Sequence, residues 1–204
     1  MPPAFSAQER ARITDLLLET GYRLFTEQGL RKTSLDELVA PAGMAKSSFY
    51  QFFDSKEALY LELMLQEAGS VKQRVIDEAL HSTPDTREAL RRFLRATLDE
   101  LDTNPLWRRL TTHPDEMQAV ARKLDADRVA AMADNPATAL AAYIEDGQRD
   151  GELVGADPAV VVGVLQTVLL VPLHAERLGD PARYPQIIDL LIDIVTAGLT
   201  RQKG

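Results

Sequence analysis

Apolar residues along the chain recur at three- and four-residue intervals and nowhere alternate with polar ones over the length of a strand. This spacing predicts an all-α protein. Ser6-Ala7-Gln8-Glu9 opens the first helix as a capping box, in which the serine oxygen accepts from the third helical N–H and the glutamate reaches back to the cap. Ile13, Leu16, Leu17, Leu24 and Phe25 follow as a buried stripe, and Gly29 ends it. Ser34-Leu35-Asp36-Glu37 is a second capping box. Its helix must be short, because Pro41 lacks an N–H and disfavours helical geometry at Ala40, so a stop near Val39 or Ala40 is expected. Gly43 then turns the chain into a third helix over about residues 46–51. Asp54-Ser55-Lys56-Glu57 reads as a third capping box, opening a long helix that runs toward Leu80. Further helices are expected over 85–102, 105–112, 114–133, 136–149, 157–177 and 185–201, with proline or glycine at most joints.

The third helix has two unlike sides. Spaced at about 100° per residue, Phe49, Phe52 and Phe53 fall within one arc and form a core face. Ser47 and Gln51 lie opposite, one turn apart, flanked by Ser48 and Tyr50. That side is small, flat and rich in hydrogen-bonding groups. It suits a helix pressed into a DNA major groove, where hydroxyl, amide and phenol groups meet base edges and phosphates. A short helix, a glycine turn and a second short helix make a helix-turn-helix.

Charge first speaks against a nucleic-acid partner, since the formal net charge of the 204 residues is -8. Its distribution changes that. Residues 1–60 carry seven Lys/Arg against eight Asp/Glu, so the acidity lies in the remainder, and Arg31, Lys32, Lys46 and Lys56 surround the candidate helix. Hydrophobic residues at 45% and charged ones at 26% are ordinary for a soluble domain. The chain has no cysteine, hence no disulfide framework, thiol nucleophile or thiolate metal site. His81, His113 and His174 lack metal-ligand spacing. No basic segment followed by an apolar run opens the chain, and the longest apolar stretch, 159–173, is too short and too interrupted to span a bilayer. A cytoplasmic protein without a membrane partner is expected.

Two runs carry a family resemblance: "LFTEQGLRKTSLDELV" and "AGMAKSSFYQFFDSKEALYLELM". Together they resemble the N-terminal domain of the TetR family of transcriptional regulators, over about residues 12–64. The resemblance implies an all-helical homodimer whose three-helix head, residues 1–57, binds a palindromic operator in double-stranded DNA. A larger helical body, residues 58–204, would bind a small-molecule effector of unknown identity that releases DNA. It further implies that Thr33, Ser34 and Lys56 stand near phosphates and that Lys46, Ser47, Ser48, Tyr50 and Gln51 occupy the recognition helix; Lys32, in the basic cluster beside it, is a further DNA-binding candidate. A helix N-terminus suits a phosphate on physical grounds too, through its open N–H groups and positive dipole end. Two positions depart from the family pattern. Ala45 replaces the usual serine or threonine cap of the recognition helix, at a cost of about 0.5–2 kcal/mol of local stability. Pro41 stands where a helix former is usual.

In the body, "PAVVVGVLQTVLLVPL" and "PQIIDLLIDIVTAGL" are apolar on most faces and must be covered on most faces. The resemblance assigns them to dimerisation, with Val161, Val164, Leu165, Val168, Ile187, Leu191, Ile194 and Gly198 as interface candidates. Burial within one subunit is the other reading. Phe93, Trp107, Leu110, Met117, Tyr143 and Thr167 are candidates for the effector pocket, since pockets are mostly apolar and aromatic with few polar groups; ordinary core is the alternative for each. An enzyme is not expected, and no cofactor: there is no serine–histidine pattern, paired-carboxylate metal motif or phosphate loop. A dimeric ligand-binding protein of this type that has lost operator binding is the remaining alternative, given Pro41 and Ala45.

Overall fold

The structure, a computed structural model, describes residues 5–122, 134–177 and 180–201. Its helices are α1 (Ala7–Lys32), α2 (Leu35–Val39), α3 (Lys46–Phe49), α4 (Lys56–Lys72), α5 (Thr86–Thr103), α6 (Pro105–Thr112), α7 (Pro114–Ala121), α8 (Pro136–Arg149), α9 (Pro158–Leu170) and α10 (Tyr184–Leu199). Among the described residues no strand forms, and the one extended pairing is an isolated antiparallel bridge between Leu153 and Thr200. The fold is all-α with an N-terminal helix-turn-helix, as the spacing predicts. No helix of the described residues is long and apolar enough to cross a membrane.

Local chemistry sets the boundaries. Ser6 caps α1 and Ser34 caps α2, each in a complete capping box with Glu9 and Glu37. Gly29 adopts φ 85°, which breaks the regular helix before its last turn. α2 stops at Val39, and Pro41 is accommodated in a 3₁₀ turn over Ala40–Ala42 before Gly43 crosses into the left-handed region at φ 61°. The third cap differs from expectation. α4 starts at Lys56, and its cap is Ser55, whose Oγ accepts from Ala58 N–H at 3.1 Å.

Two of the expected long helices are interrupted. α4 gives way at Gln73 to a π-turn, where Glu78 N–H donates to the carbonyl of Gln73, and Leu80 lies in a separate 3₁₀ turn. The expected 157–177 helix ends at Leu170 and tightens into 3₁₀ geometry over Val171–Arg177, where Pro172 withdraws an N–H from the helical ladder. α7 fills the start of the expected 114–133 helix; residues 123–133 lie outside the described residues.

The described chain divides into two compact units. The first contains residues 5–68 and 104–122. Its core joins Ile13, Leu17 and Phe25 of α1, Leu38 of α2, Phe49 of α3 and Leu59 and Tyr60 of α4 to Leu106 of α6 and Val120 of α7. Fully burying side chains of this size contributes roughly 1.5–3 kcal/mol each. The second unit contains Gly69–Thr103 and the chain from residue 134. There α5 packs against the π-turn, α9 and α10, burying Leu90, Phe93 and Leu94. Salt bridges Arg91–Asp193 and Arg95–Asp189 link α5 to α10.

Candidate nucleic-acid interface

α3 is anchored by one residue and displays its neighbours. Phe49 is fully buried and meets Phe53 at 6.0 Å between ring centroids. Phe52 and Phe53 are half-buried against the same core. Lys46, Ser47, Tyr50 and Gln51 are exposed, Tyr50 by 57%, and Ser48 is half-buried. The core face and polar face expected from the wheel are therefore both present. Ala45 occupies the cap position with extended backbone (ψ 149°) and offers no side-chain oxygen to the first turn, leaving N–H groups at that end for another acceptor.

The surrounding polar residues divide into those that face outward and those engaged within the head. Lys32 is exposed. Lys46 is exposed but paired, its Nζ 2.7 Å from Asp36 Oδ2. Ser34 is exposed and acts in its own helix cap. Its hydroxyl lies 2.7 Å from Glu37 Oε2, which also accepts the Ser34 N–H at 2.8 Å. That backbone bond, then the Ser34 hydroxyl and the amide of Gln28, hold the Glu37 carboxyl below its ordinary range.

Thr33 and Lys56 are engaged within the head. Thr33 is buried and its hydroxyl donates to Gly29 O at 2.8 Å. Lys56 turns inward, donating to the carbonyls of Leu30 at 2.8 Å, Thr33 at 2.7 Å and Arg31 at 3.4 Å. The last turn of α1 has carbonyls without helical partners, and a lysine with three donors satisfies them.

Two supports were not singled out from the sequence. Arg10 donates through Nη2 to the backbone carbonyl of Gln51, and its guanidinium carbon lies 5.1 Å from the Phe52 ring centroid. The second is a buried ionic cluster. Glu116 of α7 accepts from Arg109 of α6 (2.7 and 2.9 Å), from the Tyr60 hydroxyl (2.9 Å) and from Leu30 N–H (3.1 Å). Burial pushes the Glu116 carboxyl up, but the bonds from Arg109 and Tyr60 and the nearby positive charge outweigh it and leave it below the ordinary range. Burial, and then the Glu116 charge, raise the Tyr60 phenol. The sequence signal for Arg10 is its position one turn into α1; for Glu116 periodicity gives none, since a carboxylate is usually exposed.

The effector-pocket candidates divide between the units. Leu110 and Met117 pack on the core of the first, and Trp107, half-buried, also belongs to it. In the second, Phe93 is core, Tyr143 sets its ring 5.7 Å from that of His81, and Thr167 is exposed with its hydroxyl donated to Val164 O. Of the pairing candidates, Val161, Leu165 and Val168 stand apart. They are buried within their own subunit, in a helix that packs against α8, α10 and α5. Val164, Ile187 and Leu191 are half-buried, and Ile194 and Gly198 are exposed. Val160 (58%), Leu190 and Ile194 (61% each) stand out as large exposed apolar residues of α9 and α10. No cluster of three or more His, Asp or Glu among the described residues could hold a metal.

A buried phenylalanine beneath an open polar face, set one glycine turn after a short capped helix, defines a helix-turn-helix DNA-binding regulator. Comparison with known proteins makes that specific. Residues 17–63 match the sequence model of bacterial regulatory proteins of the tetR family, and the relatives the chain resembles are transcriptional regulators, not enzymes. The HTH-type transcriptional regulator YhgD of Bacillus subtilis is 26% identical over 186 residues, 91% of this chain and 95% of that protein. The transcriptional repressor DhaR of a Mycobacterium species is 35% identical over 95 residues; the match spans 46% of this chain and 47% of DhaR. A TetR-family transcription regulator from Marinobacter aquaeolei shares the fold with a TM-score of 0.69 at 18% identity, covering 97% of this chain and all of that one.

Proposed function

We propose that the protein is a cytoplasmic transcriptional repressor that reads a palindromic operator as a homodimer and is released from it by a small-molecule effector. One observation carries the DNA reading: Lys46 and Ser47 on a short helix, and Tyr50 and Gln51 in the turn that follows it, are exposed, while the buried Phe49 fixes the other side. Ser47, Ser48, Tyr50 and Gln51 would meet base edges. Lys32, Lys46 and the N–H groups that open α3 would meet phosphates, with Ser34 at the start of α2 beside them. The name of DhaR as a repressor supports the direction of regulation.

The homodimer rests on the exposed apolar residues of α9 and α10. Val160, Leu190 and Ile194, with Val164, Ile187, Leu191 and Gly198, would meet their copies, and two heads could then read half-sites about 34–36 Å apart. Trp107, Leu110 and Met117 in one unit and Phe93 and Tyr143 in the other remain the residues through which an effector would act. The engagement of Lys46 by Asp36 and of Lys56 by carbonyls favours, as a second reading, a ligand-binding dimer with weak operator affinity.

Selection of bound DNA from a random pool tests the proposal. A palindromic site is the expected result. Enrichment of no sequence, with salt-sensitive binding to all DNA absent as well, would favour the second reading.

A further inference from the structure

We propose that Arg10 is a positioning residue that sets the direction of the recognition helix through the backbone of Gln51; this rests on the DNA-reading function proposed above. One guanidinium makes two contacts where the helix ends. Its Nη2 donates to the Gln51 carbonyl, and its carbon sits 5.1 Å from the centroid of the Phe52 ring. The Phe5 ring lies 5.5 Å from Phe52 as well. The segment at the start of α1 therefore holds the residues that leave α3.

α3 needs such a hold. It has four residues, and a helix that short has no stability of its own. Ala45 gives it no side-chain cap at the start. Phe49 fixes its middle. Beyond Tyr50 the chain departs by turn bonds, Gln51 N–H to Ser48 O at 3.1 Å and Phe52 N–H to Phe49 O at 2.9 Å. Gln51 is exposed and lies in the turn beyond the helix cap Tyr50, so core packing does not fix its backbone. The Arg10 bond does. Fixing that carbonyl fixes the point from which the Gln51 amide reaches a base. A planar, rigid fork can donate to a carbonyl while lying over a ring; a lysine ammonium is a point charge on a flexible stem and does not reproduce both contacts. Charge conservation therefore separates this role from that of a phosphate contact.

The test compares wild-type full-length protein with Arg10→Lys and Arg10→Ala, using the sequence selected by the wild type from a random pool and its single-base variants at several salt concentrations. Arg10→Lys should keep the salt dependence of the wild type but lose discrimination at the base position read by Gln51 by roughly fivefold or more, as a misaimed bidentate contact would. In free protein, amide exchange should quicken at residues 51–53 and stay unchanged at the core residues Ile13 and Leu17. Wild-type discrimination and exchange in Arg10→Lys, with Arg10→Ala weakening all sequences equally and lowering the salt slope by about one, would overturn the proposal and make Arg10 a phosphate contact. Failure of the wild type to select any sequence is a different failure, that of the operator reading. The exchange measurement needs no DNA. Faster exchange at 51–53 would still support the hold, and unchanged exchange would overturn it.

Discussion

The Tyr60 hydroxyl donates to Glu116 Oε2 at 2.9 Å, across 56 residues of sequence. Tyr60 is in α4 and Glu116 in α7, and the other carboxylate oxygen takes the N–H of Leu30 at the end of α1. One buried side chain thus ties α6 and α7 to the head just before the helix-turn-helix begins. Gly29 lets the chain pass there. A Cβ added at that position would lie 1.9 Å from Arg109 Nη2 and 2.6 Å from Glu116 Oε1, and φ 85° is strained for any other residue.

Removing Glu116 should therefore cost more than removing the whole ion pair. Glu116→Ala strands the Arg109 guanidinium and leaves the Tyr60 hydroxyl and Leu30 N–H without their acceptor. Loss of one partner of a buried pair costs about 3–5 kcal/mol. The double change Arg109→Met with Glu116→Leu should cost less than Glu116→Ala alone. Chemical denaturation of both variants checks the order; the reverse order would mean that the cluster is solvated.

The same cluster sets a pH dependence at both ends. Glu116 has its carboxyl lowered in the folded state, so its contribution is present above the ordinary carboxylate value, near pH 4, and is lost as pH falls through the depressed value. Tyr60 has its phenol raised, so its contribution is present below the ordinary tyrosine value, near pH 10, and is lost as pH rises beyond it. Glu116→Gln should flatten the acid limb of stability against pH, and Tyr60→Phe the alkaline limb. Unchanged limbs would show that other groups dominate.

Asp36→Asn should strengthen DNA binding. Asp36 lies 2.7 Å from Lys46 and places a negative charge at the face proposed to meet phosphates. Asparagine keeps its shape and frees the ammonium. Affinity should rise for all sequences alike, with a salt slope steeper by about one. Weaker binding would mean that Asp36 is needed to aim Lys46.

The helices and turns of the head were legible because each has a local cause: Ser6 and Ser34 with their glutamates, Gly43 at φ 61°, Pro41 at the end of α2. Phe49 was legible because a polar helix with three phenylalanines on one arc has one way to bury them. α9 was not. A helix apolar on nearly every side has no preferred face in its sequence, so Val161, Leu165 and Val168 could not be told from Val160 and Val164 without the helices that cover them. The inward turn of Lys56 was not legible for a related reason. A lysine at a helix start suits a phosphate or a set of open carbonyls equally well, and the fold supplies the carbonyls. The association of α6 and α7 with the head depends on Glu116, whose partners lie 56 and 86 residues away.

That separation of faces on α9 and α10 gives two substitutions opposite outcomes. Leu190 is 61% exposed, and Leu190→Glu should yield a folded monomer with its helical content intact. Leu165 is fully buried in its own subunit, so Leu165→Ala should destabilise the fold by about 2–5 kcal/mol and leave the assembly state of the folded fraction unchanged. Sedimentation and thermal melting separate the two. A Leu190→Glu variant of unchanged mass in solution would remove α10 from the pairing surface.

Ala45→Ser tests whether α3 begins where the structure places it. Ala45 has the extended backbone of a cap, with φ -73° and ψ 149°, and its carbonyl already accepts Ser48 N–H at 2.9 Å. Only the side-chain oxygen is missing. Ala45 is exposed, so the added hydroxyl meets no packing penalty, and it can accept from an N–H of the first turn, adding up to about 1 kcal/mol to the helix. Because α3 is so short, the gain should appear as slower amide exchange over residues 46–49 and a higher melting temperature. The DNA consequence can take either sign, and that makes it informative. If the open N–H groups of α3 hold a phosphate, serine competes for one of them and binding weakens for all sequences alike. If the hydroxyl itself reaches the phosphate, binding tightens. A variant unchanged in exchange, melting and binding would place the start of α3 elsewhere.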